Sequence, residues 1–137
     1  PFFQLTGREQ YDTLSVDDIS ATVITAAEER GMHMGTTALT EAVFYILLSL
    51  DAPLHGYGIM QNVENLSGGR VRLAAGTLYG ALATLTERGW IVSLGDESEG
   101  RKKEYQITPA GREAVRAELR RLHELTQNGD ALTENWN

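Results

Sequence analysis

The sequence predicts a mainly α-helical protein with one small β-hairpin, and three observations carry that expectation. Apolar residues recur three and four apart in four successive stretches after residue 37, the spacing that lines one face of a helix. Between the third and fourth stretches the period changes to alternation on either side of a polar, glycine-bounded turn, which reads as two short strands. Ala52-Pro53, Gly68-Gly69, Gly89 and Thr108-Pro109 punctuate the stretches, and each is a helix stop or start signal.

Taken in order, residues 1–14 show no period. Ser15 then stands as an N-cap ahead of Asp17 and Asp18, and Ile19, Val23 and Ala27 follow at helical spacing until Gly31. Acids in a first turn suit the positive end of the helix dipole. This predicts an accessory helix over residues 15–30, inside an N-terminal extension of residues 1–37. Residues 31–37, with two glycines and two methionines, read as a linker, and Met32 or Met34 could equally be the true start.

From residue 38 the apolar density rises. Leu39, Val43, Ile46, Leu47 and Leu50 mark one face of a central helix that Ala52-Pro53 ends, because the residue before a proline is pushed out of the helical region. A second helix is expected over residues 55–67, with His55 at its start, Ile59, Val63 and Leu66 on one side and Gly68-Gly69 as its stop. Residues 70–73 read as a brief strand. A third helix is expected over residues 76–88, burying Leu78, Leu82 and Leu85 and stopped by Gly89. Residues 90–94 and 103–107 form the hairpin, with Lys103, Tyr105 and Ile107 alternating with Glu104, Gln106 and Thr108. Thr108 caps a last helix with Pro109 at its first position, expected to run to about residue 127 before a polar tail of residues 128–137. Three short helices followed by a hairpin are the order of a winged helix-turn-helix, here residues 38–108. The last helix, residues 109–127, is added to it.

A formal net charge of −7 argues at first against a nucleic-acid partner, since phosphate binding rests on concentrated Lys and Arg. The distribution reverses this. Upstream of Arg70 the cations are Arg8 and Arg30 against nine acids, whereas the other ten cations all fall from Arg70 onward. Any cationic face is built by the second half.

Cysteine is absent, which removes disulfides, thiolate nucleophiles and sulfur-ligated metals together. The longest apolar run, residues 42–50, falls far short of the roughly 20 residues that cross a bilayer, and no membrane partner is expected. The start lacks the basic-then-apolar order of a signal peptide, so a cytoplasmic location is expected. His33, His55 and His123 lie in three different elements without partners at ligand spacing. No Ser or Thr stands in a nucleophile context and no glycine-rich piece has the Lys-Ser/Thr ending of a phosphate loop. Paired acids such as Asp17-Asp18 and Glu28-Glu29 face different directions on a helix. The expectation is a non-enzyme without metal or cofactor.

The third helix is the candidate double-stranded DNA element. In a helix-turn-helix the second helix of the pair enters the major groove, so its outer face must be small or polar. Opposite the leucines the sequence predicts Thr77, Gly80, Ala81, Thr84 and Arg88. Gly76 leaves the helix N-terminus open to a phosphate, and Thr77 and Tyr79 add hydroxyl donors. An amphipathic helix with a plain solvated outer face fits the same residues. The hairpin favours DNA, because Arg101, Lys102 and Lys103 gather three cations near its tip, where a wing would grip phosphates. Asp96, Glu97 and Glu99 in the same turn weaken that field.

Three blocks, in order, carry a family resemblance: His55-Gly56-Tyr57-Gly58-Ile59; Gly76-Thr77-Leu78-Tyr79-Gly80-Ala81-Leu82 with Leu85 and Glu87-Arg88-Gly89-Trp90-Ile91; and Gly100-Arg101-Lys102-Lys103-Glu104-Tyr105 with Thr108 and Gly111. Over residues 39–122 the chain resembles the PadR family of winged-helix transcription regulators, in its short form with a single terminal helix. The resemblance implies a homodimeric repressor whose recognition helix starts near Gly76 and whose hairpin is the wing. It implies that Thr77 and Tyr79 meet phosphate or base edges and that Arg101 and Lys103 meet phosphate. It also implies an effector, a hydrophobic or aromatic small molecule, often held at the dimer interface. Family position places Tyr57 between the paired helices, while its residue type fits a core aromatic. Two departures bear on specificity and wing packing: Gly80 stands where members often carry proline or a basic residue, and Glu104 where they carry an aromatic.

In the last helix Val115, Leu119, Leu122 and Thr126 are spaced four, three and four apart, a seam suited to a second helix. That helix is either the same helix of a second copy, making a homodimer, or the chain's own core helix. The alternative function is a winged-helix protein-interaction module without DNA binding, motivated by the acidic wing turn, the net charge and the bland face of the third helix.

Overall fold

A computed structural model of the chain describes residues 38–95 and 102–137. Its elements are α1 (Glu41–Ser49), β1 (Leu54–His55), α2 (Gly56–Leu66), α3 (Ala75–Glu87), β2 (Ile91–Leu94), β3 (Glu104–Ile107) and α4 (Pro109–Thr133). The accessory helix expected over residues 15–30, the linker after it and the tip of the hairpin lie outside the described residues.

The helix starts are set by local chemistry. Thr40 caps α1, its hydroxyl accepting from the Val43 N–H at 3.1 Å, with Glu41 in the first turn. His55 caps α2 through Nδ1, which accepts from the Gly58 N–H at 3.2 Å. Each satisfies an amide that the helix cannot. α2 ends in Gly68 and Gly69, at φ +63 and +85, a backbone region that L side chains resist. α3 ends in a Schellman motif: Gly89 sits at φ +79, its N–H donates to Thr86 O at 3.0 Å and the Trp90 N–H to Leu85 O at 3.1 Å.

Residues 70–73 do not form the expected strand. The buried Ser67 hydroxyl accepts from the Val71 N–H at 3.0 Å, so that amide is satisfied within the turn, and Val71 is directed into the core. A strand appears instead at β1, where the extended Leu54 and His55 add to the hairpin. The sheet order is β1-β3-β2, antiparallel throughout, with Leu54 opposite Tyr105 and Ile91 opposite Ile107. A strand of two residues, the second of them the cap of α2, carries too little pattern to announce itself.

The core lies between the three helices and one face of the sheet. Ile46, Leu47, Leu50, Ile59, Leu78, Leu82, Leu85 and Ile91 are its fully buried large side chains, with Val63 beside them. At about 1.5–3 kcal/mol for each large apolar side chain removed from water, this cluster drives folding.

α4 is bolted to the end of α3. Thr108 Oγ1 donates to Gly89 O at 2.6 Å and accepts from the Gly111 N–H at 3.1 Å, while the Thr108 N–H donates to Trp90 O at 3.0 Å. The Trp90 carbonyl rests directly on Gly111, where a Cβ would overlap it. The helix continues past the expected stop near residue 127 to Thr133, with Gly129 inside it. A single glycine lowers helix propensity by only about 1 kcal/mol, which the surrounding turns can carry.

Candidate nucleic-acid interface

α3 buries Leu78, Ala81, Leu82 and Leu85, each at most 1% exposed. Ala81 was expected on the outer face, and the structure corrects this. The stripe 78, 81, 82, 85 has the i, i+3, i+4, i+7 spacing of a buried face, so Ala81 completes it. The sequence expectation was thus rotated round the helix. Gly76 is exposed with open space around it, and the face opposite the stripe also carries Ala83 and Glu87, with Thr86 exposed at its flank. These three were missed, although a stripe of four members would have located them.

The remaining residues expected on α3 are accessible to differing degrees. Thr77, Gly80 and Thr84 are half-buried and Arg88 is exposed. Thr84 Oγ1 donates to Gly80 O at 3.2 Å. Arg88 lies over the Trp90 ring, 5.5 Å from its centroid, in cation–π range. Tyr79 is 49% exposed, yet its hydroxyl lies against α2, since a Cβ on Gly56 would stand 2.5 Å from it. Gly56 therefore lets the two helices approach. Tyr57, expected at a helix interface or in the core, is 57% exposed instead.

Ala74, at the N-cap position of α3, makes no side-chain capping bond. The first-turn amides therefore have no side-chain acceptor, and with the positive dipole end they present donors to an anion.

Beyond the sheet, Lys102 and Lys103 are exposed, and Lys103 Nζ lies 5.9 Å from the Tyr105 ring centroid. Neither lysine has an ion-pair partner among the described residues. Arg101, the third cation of the expected wing, lies outside those residues. Most of the arginines elsewhere are matched, Arg116 excepted among the described residues: Arg70 pairs with Glu41, Arg72 with Glu64 at 3.2 Å, Arg112 with Asp51 at 2.7 Å and Arg120 with Glu113 at 2.9 Å. Exposed pairs of this kind contribute little to stability, but they offset the charge of the arginines. The wing lysines are left as the least neutralised cations beside α3.

The expected seam on α4 divides in two. Val115 is 8% exposed and packs on the chain's own core, so it is not a free interface residue. Glu118, three residues on, is 2% exposed and accepts from Arg121 at 2.6 and 2.8 Å and from the Leu39 N–H at 3.0 Å. The hydrogen bond to Glu118 raises the Arg121 pKa above its ordinary value, with burial opposing and charge attraction adding. Beyond this clamp, Leu119 and Leu122 are 39 and 37% exposed, Thr126 is exposed, and Leu125 and Leu132, which the sequence expectation omitted, are 52 and 76% exposed. The apolar line continues because the helix does. Among the described residues no His, Asp or Glu cluster could hold a metal ion, and no helix is long and apolar enough to cross a membrane.

The family model for the transcriptional regulator PadR-like family matches residues 45–117. The chain is 40% identical over 87 residues to an uncharacterised 37.1 kDa protein in transposon TN4556 of Streptomyces fradiae, a match that covers 63% of this chain and 24% of that protein. The chain therefore spans about a quarter of that relative's length. Among solved structures it is similar to a PadR family transcription regulator from Clostridium difficile, with TM-score 0.57 and 23% identity over 68% of this chain and 98% of that one. It is also similar to a PadR family transcriptional regulator from Eggerthella lenta, with TM-score 0.56 and 22% identity over 87% of this chain and 96% of that one. At these identities the likeness of the two structures is one of fold.

Proposed function

The chain belongs to the PadR-like family of transcriptional regulators, and from that premise we propose that it is a cytoplasmic, sequence-specific DNA-binding repressor. It acts as a homodimer and is relieved by a small hydrophobic or aromatic effector. The observation that carries DNA binding is the pairing of a smooth α3 face and its uncapped N-terminus with two wing lysines that have no ion-pair partner among the described residues. Residues 38–108 contact DNA in this assignment, α4 pairs the two copies, and residues 1–37 are an extension.

α3 enters the major groove with Gly76 and Thr77 leading. First-turn amides and the Tyr79 hydroxyl take up phosphates, and Thr84 and Ala83 meet base edges by methyl and hydroxyl contact. Lys102 and Lys103, with Arg101, hold the flanking backbone and set register without reading sequence. The exposed leucines of α4 supply the symmetric partner face, since two-fold dimers present two recognition helices to half-sites about 34 Å apart.

Replacing Lys102 and Lys103 together by alanine tests the wing. Two lost phosphate contacts lower the slope of log affinity against log salt by about 2 and weaken binding alike across DNA sequences. Unchanged affinity at two salt concentrations would remove the wing from the interface.

Glu87 on the outer face of α3 and the many paired arginines favour a second reading, a winged-helix protein-interaction module without DNA binding. A band-shift assay with the DNA upstream of the chain's own gene decides between the two. Retardation supports the repressor, and none at micromolar protein in low salt supports the module.

A further inference from the structure

A cavity of about 200 Å³ opens between the end of α1, the end of β3 and the first turns of α4. Leu47, Leu48, Ile107 and Val115 form its apolar wall, and Asp51, Arg112 and Arg116 form its rim. The side chains of the wall are all aliphatic. The rim charges are unequal. Arg112 is matched by Asp51 at 2.7 Å, whereas Arg116 is exposed and has no ion-pair partner among the described residues. Among the described residues, one positive charge without an ion-pair partner thus stands at the mouth of an aliphatic hollow.

We propose that this cavity binds a short aliphatic carboxylate, with its chain against Leu47, Leu48, Ile107 and Val115 and its carboxylate on Arg116. Size and charge both select that class. An apolar cavity of roughly 150 Å³ suffices for a six-carbon ring, so 200 Å³ takes a chain of about six to eight carbons. A cation is disfavoured by Arg116, and a neutral chain makes no charge-assisted contact with it. A guanidinium–carboxylate contact is the strong, charge-assisted kind of hydrogen bond.

The two walls give the site a mechanical consequence. α1 belongs to the core of the winged domain, while the start of α4 is fastened to Gly89 and Trp90 at the end of α3. A ligand wedged between α1 and α4 changes the angle at which the exposed half of α4 leaves the domain. This consequence, release of DNA, rests on the DNA-binding reading; occupancy of the cavity does not.

The test uses the full chain with labelled Ile, Leu and Val methyl groups, titrated with sodium octanoate and, separately, with octan-1-ol. The expected result is saturable shifts at Leu47, Leu48, Ile107 and Val115, with octanol bound about tenfold more weakly. Arg116→Gln removes that preference and leaves octanol binding unchanged. Leu48→Trp, which fills the mouth, weakens both ligands. Three outcomes overturn the site: shifts that do not saturate, shifts confined to Leu119 to Leu132 with none at the cavity, or octanoate binding indifferent to Arg116→Gln. Shifts at Leu47, Leu48, Ile107 and Val115 that follow protein concentration without ligand also overturn it, by assigning the cavity to a second copy. Band shifts with and without octanoate then read the coupling. Retardation unaffected by saturating octanoate overturns the release of DNA. Absent retardation without ligand instead refutes the DNA-binding reading and leaves the methyl result standing.

Discussion

Along α3 every member of the apolar stripe, from Leu78 to Leu85, is at most 1% exposed, whereas along α4 Val115 is buried and Leu119, Leu122, Leu125 and Leu132 are 39, 37, 52 and 76% exposed. Both helices repeat apolar residues at the same spacing. α3 is covered along its length by α2, β2 and the core, while among the described residues α4 is fastened only by its first turns, up to the Glu118–Arg121 clamp. A stripe at helical spacing therefore announces a face and says nothing about what covers it. In α3 the covering is the chain's own core, and the opposite face is the one proposed to meet DNA. In α4 the uncovered leucines are the surface through which a second copy is proposed to pair.

The sharpest way to break this contrast is to shorten one leucine in each stripe. Leu82→Ala should lower the unfolding free energy by about 2–5 kcal/mol, as a cavity in a closed core does. Leu125→Ala should change it by less than about 0.5 kcal/mol in a dilute, monomeric sample, yet weaken self-association in sedimentation equilibrium. Equal losses from the two in denaturant titrations would mean that α4 is covered along its length by its own chain.

The boundary between the two halves of α4 is tested at Glu118. Glu118→Ala strands the Arg121 guanidinium and the Leu39 N–H, and should cost about 1–3 kcal/mol. Glu118→Gln keeps an acceptor for Leu39 and should cost less. If both variants melt like the parent protein, the clamp does not hold α4.

The smallest effect is expected on the outer side of α3. Thr84→Val keeps the shape and removes the hydroxyl, so stability should move by less than about 0.5 kcal/mol. Relative affinity among operator variants should shift by about 1 kcal/mol in competition band shifts. A uniform loss across sequences would place Thr84 against phosphate rather than bases.

Much of the fold was legible because its signals are local. Thr40, His55 and Thr108 cap the helices that follow them, and Gly68, Gly69 and Gly89 occupy the left-handed conformations that end α2 and α3. Those features depend on a few consecutive residues. The errors fall where a distant partner decides. β1 exists because β3 offers Leu54 and His55 a ladder. Residues 70–73 are no strand because Ser67 reaches Val71. The extension of α4 is a separate case, since Gly129 sits inside the helix rather than ending it.

For the candidate site, the sequence by itself determined which helix and which hairpin are the candidates for a DNA interface, since the period of Leu78, Leu82 and Leu85 and the run of Lys102 and Lys103 are properties of neighbouring residues. Only the tertiary structure decided the rotation of α3, which buries Ala81 and presents Ala83 and Glu87, and the division of α4 at Val115 and Glu118. Helical spacing fixes angles between side chains on one helix, but the direction in which the set points is fixed by the surfaces it packs against.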